Sequence, residues 1–279
     1  TPLYSSAASD VYKRQISLTS TASTVTISAA LSAPVDVSLT AHTELVTSAA
    51  VTATTGTVTV TSTTTSINLG GATSGTFVEV RPKTTYIGAG ALTASAGTVR
   101  ITGGSSIDPT GAIRATSNVV LRGTGQITTG SSATINSSSG SVEVNTSGGL
   151  VTLGANVVAS GPISISLTGA YSGAGALSSG GAISITGGTS ISPTGNVRAT
   201  GNISMSGSGK TFFDGITVAS SAGSITVNAG PVADHAVQVN ASIVSANTQR
   251  ISLTGRSTSG TQDGVILYGA STVSYTHLR

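Results

Sequence analysis

The chain has 279 residues, with 36 Gly, no Cys and no Trp, and only 8% of it is charged. No disulfide framework can hold such a chain, and no apolar run approaches the roughly 18 residues that a membrane-spanning helix needs. Of the net charge of +3, three cations (Lys13, Arg14 and Arg279) lie at the ends, and residues 16–272 hold nine Lys and Arg against eight Asp and Glu. That near-balance, with no clustered basic face, argues against a nucleic-acid partner.

From residue 16 onward, a pair of apolar residues two apart returns about every 21 residues. The pairs are Ile16/Leu18, Val37/Leu39, Val58/Val60, Val78/Val80, Val99/Ile101, Val119/Leu121, Val142/Val144, Ile163/Ile165, Ile183/Ile185, Ile203/Met205, Ile225/Val227 and Ile251/Leu253. Between the partners stand Ser, Thr or a charge in nearly every case, such as Ser17, Thr59, Glu79, Arg100 and Ser184. This alternation predicts a half-buried strand, and its fixed recurrence predicts one supersecondary unit stacked on copies of itself. The same Val and Ile content argues against disorder, despite the low charge and few aromatics.

A second apolar position follows at +8 (Leu45, Tyr86, Ile107, Ile127, Leu150, Tyr171, Ile191) and a third near +14 (Val51, Leu92, Ile113, Leu177, Val197). Gly, Ser, Asn and Pro punctuate the intervals, as in GGSSIDPTG at 103–111 and GGTSISPTG at 187–195. Three short strands and three turns per unit describe one coil of a right-handed parallel β-helix, an all-β solenoid. Twelve coils at a spacing of about 4.8 Å make a rod roughly 55 to 60 Å long. A longer repeat overlies the short one: residues 97–125 align without gaps on 181–209, with 16 identities in 29. YIGAGAL at 86–92 likewise returns as YSGAGAL at 171–177. The offset corresponds to four coils, giving blocks at about 16–96, 97–180 and 181–272. Three tandem immunoglobulin-like sandwiches are the competing arrangement; the internal register of about 21 residues and the lack of Trp favour the solenoid.

The two ends break this pattern. Residues 1–15 (with PLYSSAASDVYKRQ) and 273–279 (VSYTHLR) resemble translated sequencing-adapter sequence from short-read metagenomic assemblies. On that reading they are non-native, the solenoid is an internal fragment of a longer protein, and exposed ends make it prone to associate.

Motifs for chemistry are sparse. SGSGKT at 206–211 suggests a phosphate-binding loop, but the Gly required five residues before Gly209 is Ser204. The duplicate reads RGTGQI at 122–127, an ordinary inter-strand turn. His42, His235 and His277 show no metal-ligand spacing, so neither metal nor cofactor is expected. Asp234 and His235 lie in the longest inter-coil excursion, PVADHAV at 231–237, the one loop position where a binding group is expected. A polysaccharide-cleaving β-helix enzyme would need converging acids. Asp108, Glu143, Asp214 and Asp263 fall in different strands, and the duplicates of Asp108 and Glu143 are Ser192 and Thr226. Glu79 and Arg100 share an outward position on adjacent coils and are expected to face one another. The next outward position is mostly hydroxyl or amide (Thr19, Thr40, Thr61, Thr102, Asn145, Ser166), a flat polar wall suited to carbohydrate or to another rod. Asn136, Asn145, Asn202 and Asn240 each open an N-glycosylation sequon.

The phrases GTVRITGG, GAISITGG, NVRATGNISMSG and AGSITVNAG resemble the repeat regions of large bacterial exoproteins of the filamentous-haemagglutinin type, including autotransporter and two-partner secretion passengers. The resemblance spans residues 16–272 and rests on repeat texture. It implies a right-handed β-helix, export to the cell surface or medium, and a non-catalytic adhesive role toward host glycans or surface proteins, with glycosylation at sequons in some relatives. A structural matrix or sheath rod that self-associates laterally, and a carbohydrate-active enzyme, are the alternatives.

Overall fold

A computed structural model of the chain describes residues 14–247, 249–258 and 264–275. Three parallel sheets of twelve strands each stack as a β-solenoid of twelve coils, one strand per sheet per coil, with no helix among the described residues. The first sheet runs from Gln15–Thr19 to Ile251–Ser257, the second from Val25–Ile27 to Val265–Tyr268, and the third from Leu31–Ala33 to Thr272–Tyr275. The last of these strands pairs in register with Ile243–Ala246. Histidine 277 and Asp263 lie outside the described residues.

The apolar pairs stack pair on pair. Ile16 is opposite Val37 and Leu18 opposite Leu39, and the same pairing continues through Val99 opposite Val119 and Ile203 opposite Ile225. From Val37 to Val227 every pair is fully buried, whereas Ile16, Leu18, Ile251 and Leu253 are half-exposed. Parallel strands are hydrogen-bonded to the coils before and after, so the stack supplies both backbone partners and the dry interior. The third positions Val51, Leu92, Ile113, Leu177 and Val197 are buried as expected.

One second-strand position is corrected. Leu150 faces solvent (48% exposed), and Val151 points inward, as the first residue of strand Val151–Leu153. In this coil the first-sheet strand extends its inward alternation to Thr146, and four residues rather than three follow before the next inward side chain. The coil with Ser62 and Ile67 has the same longer corner. A fixed +8 count therefore lands one residue short.

The inward pairs of the second sheet show how cross-section is kept constant. Ile67 is followed by Leu69, Ile107 by Pro109 and Val151 by Leu153, all buried. Where the first member is large, the second is glycine: Tyr86 precedes Gly88 and Tyr171 precedes Gly173. A Cβ on Gly88 would lie 2.0 Å from the Tyr86 hydroxyl oxygen, and one on Gly173 would lie 2.6 Å from that of Tyr171. The repeated Tyr-x-Gly of the YIGAGAL and YSGAGAL phrases is thus a packing rule. In the coil of Thr211 the order inverts, with the small residue first and Phe213 second. The phenol hydroxyls and the Thr211 hydroxyl are buried without a hydrogen-bond partner among the described residues. Burial raises the pKa of both tyrosines well above the ordinary phenol value.

Corners are closed by polar side chains and by glycine. Asn202 Oδ1 accepts from the backbone N–H of Ser224 at 2.9 Å on the next coil, and its duplicate Asn118 accepts from that of Ser141 at 2.9 Å. Inward hydroxyls at corners donate to carbonyls of the preceding coil, as Ser220 does to Gly201 at 2.8 Å. The glycine pairs that close ITGG, Gly103–Gly104 and Gly187–Gly188, all have positive φ, a region that costs an L side chain about 1 kcal/mol or more.

Candidate functional site

The outward faces of the three sheets differ in chemistry. On the first sheet, Glu79 and Arg100 are register partners, as the repeat predicts. Their side chains nevertheless choose other contacts. Glu79 pairs with Arg81 on its own strand at 2.8 Å, and the Arg100 guanidinium lies 6.0 Å from the centroid of the Phe77 ring. Arg122 reaches across to Glu143 with two hydrogen bonds, of 2.7 and 2.8 Å, and this contact raises the Arg122 pKa. Farther along the same sheet the outward residues are Ser166, Thr186, Ser206 and Asn228. The third sheet presents Thr93, Arg114, Asn136, Val158, Ser178 and Arg198 in one ladder, and a shallow open concavity lies beside Arg198 and Ser220.

The excursion at 231–237 lies against the second sheet. The first-sheet strand lengthens to Ile225–Val232, and its pairing with Ile251–Ser257 shifts register between Asn228 and Pro231. Beyond it, Asp234 meets the Lys210 ammonium at 3.3 Å and the Gln238 amide at 3.2 Å, with His235 Nε2 3.8 Å from the other carboxylate oxygen. The Asp234 pKa is lowered, chiefly by the His235 backbone N–H and then by Lys210. Lys210 also lies 5.6 Å from the centroid of the Phe212 ring. In the register of this sheet Phe212 is opposite Gln238 and Gln238 opposite Ile266, while Asp214 is opposite Asn240 and Asn240 opposite Tyr268. Asn240 donates to Asp214 at 2.7 Å, and the Tyr268 hydroxyl is 3.4 Å from the Gln238 amide oxygen. Gln238 stands at an outward register position yet is only 7% exposed, and Tyr268 is 38% exposed.

The structure therefore gathers Asp234, His235, Asp214 and Asn240 with Lys210, Phe212, Gln238 and Tyr268. The sequence singles out the first four for separate reasons, and Lys210 only as part of SGSGKT; Phe212, Gln238 and Tyr268 are not singled out as site residues. One signal was available: in KTFFD at 210–214 two adjacent phenylalanines in one strand cannot both face inward. The other expected groups stay apart. Asp108 and Glu143 sit on different sheets, and Glu143 is engaged by Arg122. Of the sequon asparagines, Asn136 is exposed on the third sheet, Asn145 is half-buried on the first, Asn202 bonds the next coil, and Asn240 belongs to the cluster. In SGSGKT, Gly209 sits in a turn, Lys210 begins the strand Lys210–Asp214, and the Thr211 hydroxyl points into the core; a phosphate ligand would find no hydroxyl there. No group of three or more His, Cys, Asp or Glu that could hold a metal occurs among the described residues, and no helix there is long and apolar enough to cross a membrane. Comparison with protein-family models, curated proteins and solved structures gives no match to this chain.

Proposed function

We propose that this chain is the non-catalytic shaft of a secreted or surface-displayed bacterial adhesin, serving as a rod-like spacer and a binding surface. The observation that supports this reading is the unbroken stack of three twelve-stranded sheets, which holds a long, regular series of outward side chains at fixed positions. In such a rod each coil contacts only its neighbours, so the outer residues can vary without altering the fold. The repeat phrases similar to filamentous-haemagglutinin-type exoproteins supply the bacterial surface and the adhesive role. A matrix rod that bundles side by side is the second reading, favoured by the exposed outward Ile87, Leu150 and Val158.

The deciding experiment displays the chain on a non-adherent bacterium and measures attachment to host cells, alongside reducing-end release from polysaccharides by the purified protein. Attachment without polysaccharide cleavage supports the adhesin shaft. Salt-insensitive bundling with no attachment supports the matrix rod. Cleavage that disappears on Asp108→Asn or Glu143→Gln overturns both in favour of an enzyme.

A further inference from the structure

The outward face of the second sheet differs sharply between the duplicated blocks. In the last three coils its two columns read Phe212, Gln238, Ile266 and Asp214, Asn240, Tyr268. Four coils earlier, the strands Gln126–Thr129, Val151–Leu153 and Ala170–Gly173 occupy the equivalent places. There the first column reads Thr128, Thr152, Ser172, and the second continues past the strands through Gly130, Gly154 and Ala174. Hydroxyls and near-bare backbone have been replaced by two aromatic rings, an isoleucine and three planar polar groups. None of these changes improves the interior, because all six side chains point away from it.

The new set has a specific chemistry. A half-buried ring and a 38% exposed ring offer apolar faces to the C–H side of a ligand. Asp214 uses one carboxylate oxygen on Asn240, so its second oxygen remains to accept, and the Asn240 amide keeps a further donor and its acceptor. Gln238 donates to Asp234 at 3.2 Å and accepts from the Tyr268 hydroxyl at 3.4 Å. Lys210 is matched by Asp234, and the Asp214 carboxylate, bonded to a neutral amide, disfavours an anionic ligand. Apolar ring faces beside planar donor–acceptor groups suit a ligand with apolar C–H faces rimmed by hydroxyls. The rung spacing of about 4.8 Å is close to the advance per sugar of an extended glycan.

We propose that this face of the second sheet, from Phe212 to Tyr268, binds a neutral, extended oligosaccharide lying along the Asp214–Asn240–Tyr268 column, with Tyr268 stacking on a sugar ring, Phe212 flanking it from the adjacent column, and Asp214 and Asn240 bonding to hydroxyls. The assignment deepens the binding-surface part of the adhesin reading and rests on it. Saturation-transfer NMR on the full chain with the extended β-1,4-linked sugars mannohexaose, cellohexaose and chitohexaose provides the test. At least one of the three is expected to bind, with Tyr268→Ala weakening binding about tenfold or more, equivalent to about 1.4 kcal/mol, and Tyr268→Phe keeping it. The triple variant Phe212→Thr, Asp214→Gly, Tyr268→Ala installs the residues of the other block and is expected to abolish binding while the circular dichroism and urea midpoint stay close to those of the parent chain. Absence of binding by all three sugars into the millimolar range overturns the proposal, as does unchanged binding by Tyr268→Ala or by a folded triple variant. Host-cell attachment of the displayed chain that survives the triple variant overturns the platform and leaves the shaft standing. Oligosaccharide binding without attachment does the reverse.

Discussion

Residues 78–146 and 163–228 are two copies of the same run of coils, and they agree inside and disagree outside. Their interiors match in kind apart from Thr211/Phe213, which stand where the earlier copy has Ile127/Thr129: Val80 with Ile165, Tyr86 with Tyr171, Ile101 with Ile185, Pro109 with Pro193, all buried. On the outer face of the first sheet, Glu79, Arg81, Arg100, Arg122 and Glu143 of the earlier copy stand where the later one has Ser164, Ser166, Ser184, Ser206 and Thr226. Two ion pairs and a cation–ring contact have no counterpart, yet the strands keep the same pairing. Stability thus lies in the stacked aliphatics and the backbone ladder, while the outer wall is free to acquire binding chemistry.

The largest effect that sharpens this contrast comes from the interior. Ile101→Ala and Ile185→Ala should each cost about 2–5 kcal/mol and lower the urea midpoint to a similar degree; a large difference between them would break the equivalence of the copies. Gly88→Ala and Gly173→Ala should cost about 1–3 kcal/mol by overpacking against the phenol, measured in the same way. Gly88→Ala should be the more severe, because its closest approach is the shorter. Alkaline pH probes the same pairs. Since burial holds Tyr86 and Tyr171 above the free phenol value, their contribution to stability is complete below about pH 10 and is lost as pH rises toward their folded values. A Tyr86→Phe, Tyr171→Phe chain should therefore resist unfolding above that pH better than the parent, and it loses no hydrogen bond seen among the described residues. The smallest effect belongs to the outer wall. Importing the later copy's residues with Arg122→Ser and Glu143→Thr should shift stability by no more than about 1 kcal/mol. A larger loss in the urea midpoint would show that the wall does contribute to the fold.

The fold was legible because burial on one face of a parallel ladder fixes register: a one-residue slip would expose every pair from Val37/Leu39 to Ile225/Val227. Local exceptions were less legible where corner length varies. Leu150 was placed inward because the extra corner residue before Val151 leaves no mark in the spacing of the first-sheet pairs. Contact choice was also hidden. Register brings Glu79 opposite Arg100, but side-chain reach gives Glu79 to Arg81 and Arg100 to Phe77. The candidate site was only half visible, since its columns join Phe212 to Gln238 and Asn240 to Tyr268, residues some 26 to 28 positions apart. That interval is where the regular step stretches, to 26 residues between Ile225 and Ile251, so counting by 21 does not align them.

The constancy of the cross-section, maintained by the Tyr–Gly and Thr–Phe exchanges, has a consequence for how such a molecule can grow. Because equivalent coils of the two blocks carry matching inward pairs, such as Ile107/Pro109 and Ile191/Pro193, a block can be exchanged at these points, and the near-identical phrases at 97–125 and 181–209 are natural crossover points. Length then changes in whole increments, about 19 Å for four coils at the parallel-strand spacing. Each increment keeps every sheet continuous, strand on strand, along the stack. A sugar-binding wall on one copy would be carried outward or inward along the axis by such exchanges.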